Sequence, residues 1–274
     1  MARNILITGA TGFLGREISR QLNVCGDNVV GIGHSEKRTH EASFLFQERG
    51  QHVDLYSLDL SSHVSQLDYI MKKHNIQYVI HAAAMKHVGV SEENPYRAAQ
   101  VNVVGSMNVL DVCYANRARN LIGISTDKAI NPSCVYGSTK HLMEKMFLKK
   151  DYSICRGVNF LFSDGSVLDI WKRQAAEGKP ITVNKNDTIR FFVDVKGFAD
   201  LVLRSLDKKG QVFNPKSCYK ISLHDLAEAF CEVNSCTSEQ VYAASSVEKL
   251  VEEIPDGIKV VPADLEMIKE LLNG

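Results

Sequence analysis

Tyr136 and Lys140 are the two residues in this sequence with the clearest chemical meaning. Four positions apart near the start of a helical segment, their side chains fall on one face. A free phenol ionises near pH 10, and a nearby ammonium stabilises the phenolate, so the pair could take a proton from a substrate hydroxyl near neutral pH. A Tyr-x-x-x-Lys pair is common by chance. Here it follows Ser125-Thr126-Asp127-Lys128-Ala129-Ile130-Asn131-Pro132, which sets a hydroxyl, a carboxylate and an ammonium at the C-terminal end of an apolar run. Open α/β sheets bind ligands at that end of their strands. Asp127 and Lys128 could act as acid and base on one substrate; without chemistry they are an ion pair after a strand.

A second chemical feature stands at the N-terminus, in Thr8-Gly9-Ala10-Thr11-Gly12-Phe13-Leu14-Gly15. Glycines between a strand and a helix let the backbone turn tightly and approach a pyrophosphate, which then sits on the helix N-terminus. The loop predicts a dinucleotide site at Gly9, Thr11, Gly12, Phe13, Leu14 and Gly15. The next strand ends Gly31-Ile32-Gly33-His34-Ser35-Glu36-Lys37-Arg38, with no acid at its tip to hold a ribose 2′-hydroxyl. Small residues followed by His34, Ser35, Lys37 and Arg38 favour NADP over NAD, although Lys37 and Arg38 also read as a solvated surface pair. Asp59 and Leu60 close a third strand near the adenine, or Asp59 caps the next helix.

The elements that must position these groups alternate. Ile5–Thr8, Val29–Ile32, Val53–Leu60, Tyr78–Ile80, Leu121–Ile124 and Ser153–Val158 read as strands. Between them lie helical patterns, including Leu14, Ile18 and Leu22 at four-residue spacing, Ser62–Lys73, a long helix from Pro95, and Tyr136–Leu148. This alternation predicts an α/β fold, a doubly wound parallel sheet covered by helices on both faces. A first domain over residues 1–158 carries the dinucleotide and the Tyr/Lys pair. A smaller, partly interleaved region over 159–274 carries short strands at 181–183, 191–195 and 212–213 and helices at 223–233 and 265–272.

The chain has 274 residues, 45% hydrophobic and 23% charged, with 32 basic and 32 acidic side chains. A net charge of zero removes the basic surface that a nucleic-acid binder needs. The longest apolar runs are too short to span a bilayer. The N-terminus reads as a buried strand rather than a signal peptide. Seven scattered cysteines without a Cys-x-x-Cys pair predict reduced, buried thiols in a cytoplasmic protein, and the histidines show no metal-ligand spacing.

The chain resembles the extended short-chain dehydrogenase/reductases and, more narrowly, the inverting UDP-N-acetylglucosamine 4,6-dehydratases of bacterial polysaccharide pathways. The resemblance runs from residue 3 to about 230. It rests on Thr8–Gly15, on His81-Ala82-Ala83-Ala84-Met85-Lys86-His87-Val88, on Glu93-Asn94-Pro95 with Asn102-Val103-Val104-Gly105, and on Ser125–Lys140. Arg156–Val167 and Thr188-Ile189-Arg190-Phe191-Phe192 add to it. It implies a Rossmann-type fold and a hydro-lyase that keeps its NADP, works on a UDP-sugar and forms a homo-oligomer.

By that resemblance Tyr136, supported by Lys140 and Thr126, takes the 4-hydroxyl proton, Lys128 removes the C5 proton and Asp127 protonates the departing 6-hydroxyl. Ala82, Ala83 and Ala84, following His81, line the nicotinamide side. Lys86, Thr126, Asn159, Ser163, Ser166 and Arg190 touch substrate, Arg190 gripping the diphosphate. A tyrosine at 136 marks the members that invert C5. The chain departs from the family pattern at Gly89 and Asp164, where many relatives carry proline and arginine. Three other readings stand beside this one: a UDP-sugar 4-epimerase, which needs no Asp127–Lys128 pair, a 4-keto reductase, and a dinucleotide sensor without catalysis.

Overall fold

The computed structural model describes residues 2–241 and 254–273. In chain order its elements begin β1 (Asn4–Thr8), α1 (Phe13–Val24), β2 (Asn28–Gly33), α2 (Glu36–Glu48), β3 (Val53–Ser57), α3 (Val64–Lys73) and β4 (Tyr78–His81). Next come α4 (Val88–Glu93), α5 (Pro95–Ala99), a π-helical turn (Gln100–Val104), α6 (Gly105–Ala115), β5 (Asn120–Thr126), a 3-10 turn (Asp127–Ala129), α7 (Val135–Lys149) and β6 (Ser153–Gly157). The remainder is β7 (Asn159–Phe160), α8 (Val167–Ala176), β8 (Ile181–Asn184), β9 (Ile189–Val193), α9 (Val195–Arg204) and β10 (Val212–Phe213). It closes with β11 (Ser217–Ser222), α10 (Leu223–Asn234), β12 (Ser238–Val241), β13 (Lys259–Pro262) and α11 (Leu265–Asn273).

Two compact units divide these elements. The first holds residues up to Gly157 together with Lys196–Phe213; the second holds Val158–Val195 and the residues from Asn214 onward. In the first, a sheet of order β10-β6-β5-β4-β1-β2-β3 is parallel at every pairing. The strand order reverses between β1 and β4, and the glycine loop leaves β1 at that switch point. Ile5, Leu6 and Ile7 have no solvent exposure, as expected of a strand covered on both faces. Leu14, Ile18 and Leu22 turn one stripe of α1 onto the sheet. At the other edge, β10 pairs with β6, and the Lys208 carbonyl accepts both Asn120 Nδ2 (2.7 Å) and Ser153 Oγ (2.6 Å).

The second unit has its own core. Trp171 packs on Phe230 with ring centroids 5.7 Å apart and donates from Nε1 to the Thr182 carbonyl at 2.8 Å. Around them pack Phe192, Ile221, Leu226 and Ile268. One sheet runs β13-β11-β9-β7, and β12 pairs with β8 separately.

Three expectations need correction. The strand expected over 53–60 ends at Ser57, because the chain turns at Asp59, whose carboxylate accepts the Ser61 amide (2.9 Å) and hydroxyl (2.7 Å). The helix expected from Pro95 is not continuous: it loosens into the π-helical turn at Gln100–Val104, where Asn102 is buried. The thiols are free but not uniformly buried, since Cys25 is exposed and Cys134, Cys231 and Cys236 are half-buried.

Candidate active site

In the glycine loop, side chains could not replace Gly9 or Gly15. Gly9 has φ +74°, and a Cβ there would stand 2.8 Å from the Ala82 carbonyl carbon and the Ala83 nitrogen. A Cβ on Gly15 would collide with the Gly9 carbonyl oxygen and come within 2.8 Å of Ala10 Cα. These contacts pack α1 closely against β1 and β4. Gly12, by contrast, would give its Cβ one neighbour, the Gly9 carbonyl oxygen at 3.3 Å, and it heads α1 with no side-chain cap. An uncapped helix N-terminus behind a backbone-only loop fits a pyrophosphate. Phe13 is half-buried beside it and Thr11 and Leu14 are buried.

At the end of β2, Gly33 leaves no room for an acid: a Cβ would lie 2.7 Å from both Thr11 Cγ2 and Thr39 Oγ1. His34 is exposed, and Ser35 caps α2 by accepting the Arg38 amide at 3.4 Å. Lys37 faces Glu41 at 3.9 Å in open solvent. Burial, and then the charges of Lys86 and Arg38, hold the His87 imidazole below its usual pKa. Arg38 and Lys86 thus place positive charge around His87, at the end of the loop that follows β4. Asp59 is drawn away from the role of helix cap, holding Ser61 and Arg97 (3.4 Å); Leu60 is buried.

At the end of β5, Thr126 donates to Asp127 Oδ1 at 2.6 Å and shares a hydrogen bond with the Tyr136 phenol. Lys128 Nζ lies 3.3 Å from Asp127 Oδ1 and 3.4 Å from Oδ2. Asp127 is buried, whereas the Lys128 side chain keeps 24% of its exposure. The structure therefore brings Thr126, Asp127, Lys128 and Tyr136 together.

Tyr136 and Lys140 are both shifted by burial. Burial pushes Tyr136 up to about 12, and the charges that weigh most on it are Lys128, which favours the phenolate, and Asp127, which opposes it. Lys140 is 3% exposed, its Nζ reaching Met143 Sδ at 3.5 Å, and desolvation pulls it down to about 8 against the opposing charge of Glu144. At about 12, the phenol holds its proton at neutral pH.

Helix α7, which carries Tyr136 and Lys140, is held at its start by residues that sequence reasoning missed. Glu92 Oε1 accepts the Val135 amide at 2.6 Å, and Cys134 Sγ accepts the Gly137 amide at 3.3 Å. Glu92 and Val135 are 43 positions apart, so no local pattern could connect them. Ala82, Ala83 and Ala84 are half-buried after β4, as a lining would be; His81, expected beside them, is wholly buried.

The remaining residues expected to touch substrate lie in the second unit. Asn159 Nδ2 donates to the Phe191 carbonyl at 3.0 Å, and Arg190 is buried with Nη1 on the Ile189 carbonyl at 3.0 Å. Ser166 caps α8 by accepting the Asp169 amide, and its own amide donates to the Ser163 carbonyl at 2.8 Å.

Comparisons with known proteins agree with this architecture. The family described as polysaccharide biosynthesis protein matches residues 5–258. An inverting UDP-N-acetylglucosamine 4,6-dehydratase of Campylobacter jejuni is 32% identical over 228 residues, 78% of this chain and 67% of that one. A probable polysaccharide biosynthesis protein of Bacillus subtilis, EpsC, is 31% identical over 87% of this chain, which spans 42% of its length. Among solved structures, Pen from Bacillus thuringiensis superposes with a TM-score of 0.85 at 27% identity, over 92% of this chain and 82% of that one. DesIV, a dTDP-glucose 4,6-dehydratase from Streptomyces venezuelae, gives 0.84 at 15% identity, over 93% of this chain and 88% of that one. Among the described residues no helix is long and apolar enough to cross a membrane. The parallel Rossmann sheet, the glycine loop and the matched span together mean that this chain belongs to the polysaccharide biosynthesis protein family, within the sugar-nucleotide dehydratases and epimerases of the short-chain dehydrogenase/reductase superfamily.

Proposed function

We propose that this chain is a redox-neutral, NADP-dependent 4,6-dehydratase that removes water from UDP-N-acetylglucosamine and inverts C5. The carrying observation is the Asp127–Lys128 pair, 3.3 Å apart and adjacent to the Thr126–Tyr136 hydrogen bond. An epimerase or a reductase working at C4 needs the phenol but not a second acid and base. A bound dinucleotide supplies the hydride acceptor for C4 and the hydride returned to C6, and its cationic ring lowers the phenol's pKa.

The protein's own groups do the proton work. Tyr136 takes the proton of the 4-hydroxyl while Thr126 orients that oxygen. The 4-ketone acidifies C5–H, and Lys128 removes that proton. Asp127 protonates the departing 6-hydroxyl, which leaves as water, and Lys128 returns a proton to C5. Lys128 must begin neutral and Asp127 protonated; one proton moved across their 3.3 Å contact achieves both without changing net charge. The proton gained by Tyr136 balances the one given up by Asp127.

For the cofactor, Gly33 admits no acid, and Arg38 and Lys86 supply cations for a 2′-phosphate, which favours NADP. Asn159, Ser163, Ser166 and Arg190 are our candidates for the nucleotide-sugar contacts. Cysteines without disulfides among the described residues suit a cytoplasmic protein, and the homo-oligomer rests on the resemblance alone.

The test is mass spectrometry of UDP-N-acetylglucosamine incubated with the purified protein and catalytic NADP. Loss of one water without net NADPH formation supports the reading; an unchanged mass defeats it for this sugar. A second reading, 4-epimerisation, draws on the 30% identity to a UDP-glucose 4-epimerase of Rickettsia typhi over 85% of this chain. A product of unchanged mass but altered C4 configuration would favour it.

A further inference from the structure

His81, at the end of β4, has no solvent exposure and hydrogen-bonds through both ring nitrogens. Nδ1 lies 2.8 Å from Thr8 Oγ1, and Nε2 lies 2.9 Å from Ser106 Oγ. The hydrogen bonds on its Nε2 side are fixed in direction by elimination. The Asn102 carbonyl can only accept, so Ser106 spends its single hydroxyl proton on that contact, at 2.5 Å. Ser106 Oγ must then accept from His81 Nε2–H. A neutral ring leaves Nδ1 as an acceptor, so Thr8 donates its hydroxyl proton to Nδ1 and accepts the Ala83 amide at 3.3 Å. Neutrality follows from full burial, which holds the imidazole down to about 3 with Lys140 adding to the effect.

The chain of hydrogen bonds continues. Asn102, in the π-helical turn, clasps the Met85 backbone with Oδ1 (2.7 Å) and Nδ2 (3.0 Å), and Nδ2 also donates to Thr139 Oγ1 at 3.0 Å. Thr139 in turn donates to the Tyr136 carbonyl at 2.8 Å. Thr8 adjoins the glycine loop, Ala83 to Met85 form the loop after β4, and Tyr136 opens α7.

We infer that His81, as the neutral Nε2–H tautomer, is a positioning residue that ties the glycine loop and the loop after β4 to the first turn of α7 through Thr8, Ser106 and Asn102. The role rests on the reading of Tyr136 as the proton acceptor, but the network itself can be tested without turnover. Losing one link leaves the loops folded and lets the phenol drift from its working position, and misplacements near 1 Å cost rate more than affinity.

The experiment uses the full chain with ¹⁵N-labelled histidine, His81 being assigned by its absence in His81→Gln. The expected spectrum is a neutral ring protonated at Nε2 and unchanged from about pH 8 to about pH 5. A Nδ1–H tautomer, or titration near the ordinary value, overturns the inference. Thr8→Val keeps the volume and removes the hydroxyl, while Thr8→Ser keeps the hydroxyl; Ser106→Ala is the second variant should Thr8→Val not fold. Thr8→Val and Ser106→Ala should speed amide exchange at Met85 and in the first turn of α7. They should lower the single-turnover rate of transient dinucleotide reduction about tenfold or more while changing dinucleotide affinity less than about threefold, and Thr8→Ser should restore the rate. Equal losses of rate and affinity, or no loss in either, overturn it. Inactivity of the unaltered protein on every sugar tested would defeat the proposed function alone, with tautomer and exchange still deciding this inference.

Discussion

At the scale of single residues, the site turns on one hydroxyl proton. Thr126 gives its proton to Asp127 at 2.6 Å, so a phenolate at Tyr136 gains a donor only when Thr126 rotates toward it. Tyr136 should therefore ionise late in the ligand-free protein, near pH 12, and an ultraviolet difference titration against Tyr136→Phe should show the midpoint fall when oxidised dinucleotide is added. Tyr136→Phe should cost about 10²–10⁴-fold in turnover, measured as dehydrated product. Asp127→Asn should let C4 oxidation proceed but stall the loss of water, so reduced dinucleotide should accumulate in absorbance at the expense of product. The types and order of Thr126, Asp127, Lys128 and Tyr136 were legible in sequence because they are local. That Lys128 weighs on the phenol was not, because sequence order does not say where a flexible amine settles.

At the scale of elements, strands and the glycine loop were readable where burial on both faces or an amphipathic stripe left a strong pattern. The helix α2 escaped notice because only Ala42 and Phe46 of its 13 residues are buried. The π-helical turn has no sequence period of its own and was invisible. Two substitutions test how elements hold the site. Gly15→Ala must push a methyl into the Gly9 carbonyl, so dinucleotide binding, followed by fluorescence titration, should weaken by tenfold or more, whereas Gly12→Ala should be milder. Glu144 is 2% exposed and takes a bidentate pair from Arg156, with bonds of 2.8 and 2.6 Å that join α7 to β6. Glu144→Gln leaves that guanidinium without its charge partner and should lower stability by about 3 kcal/mol in denaturant melts.

At the scale of the whole molecule, a balanced net charge hides buried groups that refuse charge. His81 is held down to about 3 in the folded protein, so between that value and about 6.5 the unfolded chain binds more protons. Stability should fall as pH drops through this window, with about one proton fewer taken up on unfolding in His81→Gln, measured from the pH dependence of urea melts. Lys140 acts in the same direction at alkaline pH: between about 8 and 10.5 the unfolded chain again holds the extra proton, and stability should rise with pH there. The return of residues 196–213 to the first unit has a consequence for biosynthesis. When Gly157 leaves the ribosome, β6 is still an open sheet edge, and the carbonyl of Lys208 that Asn120 and Ser153 require has not been made. The nucleotide-binding half must wait, with an unpaired strand exposed to its neighbours on the polysome, until some fifty-six further residues (157 to 213) have been translated.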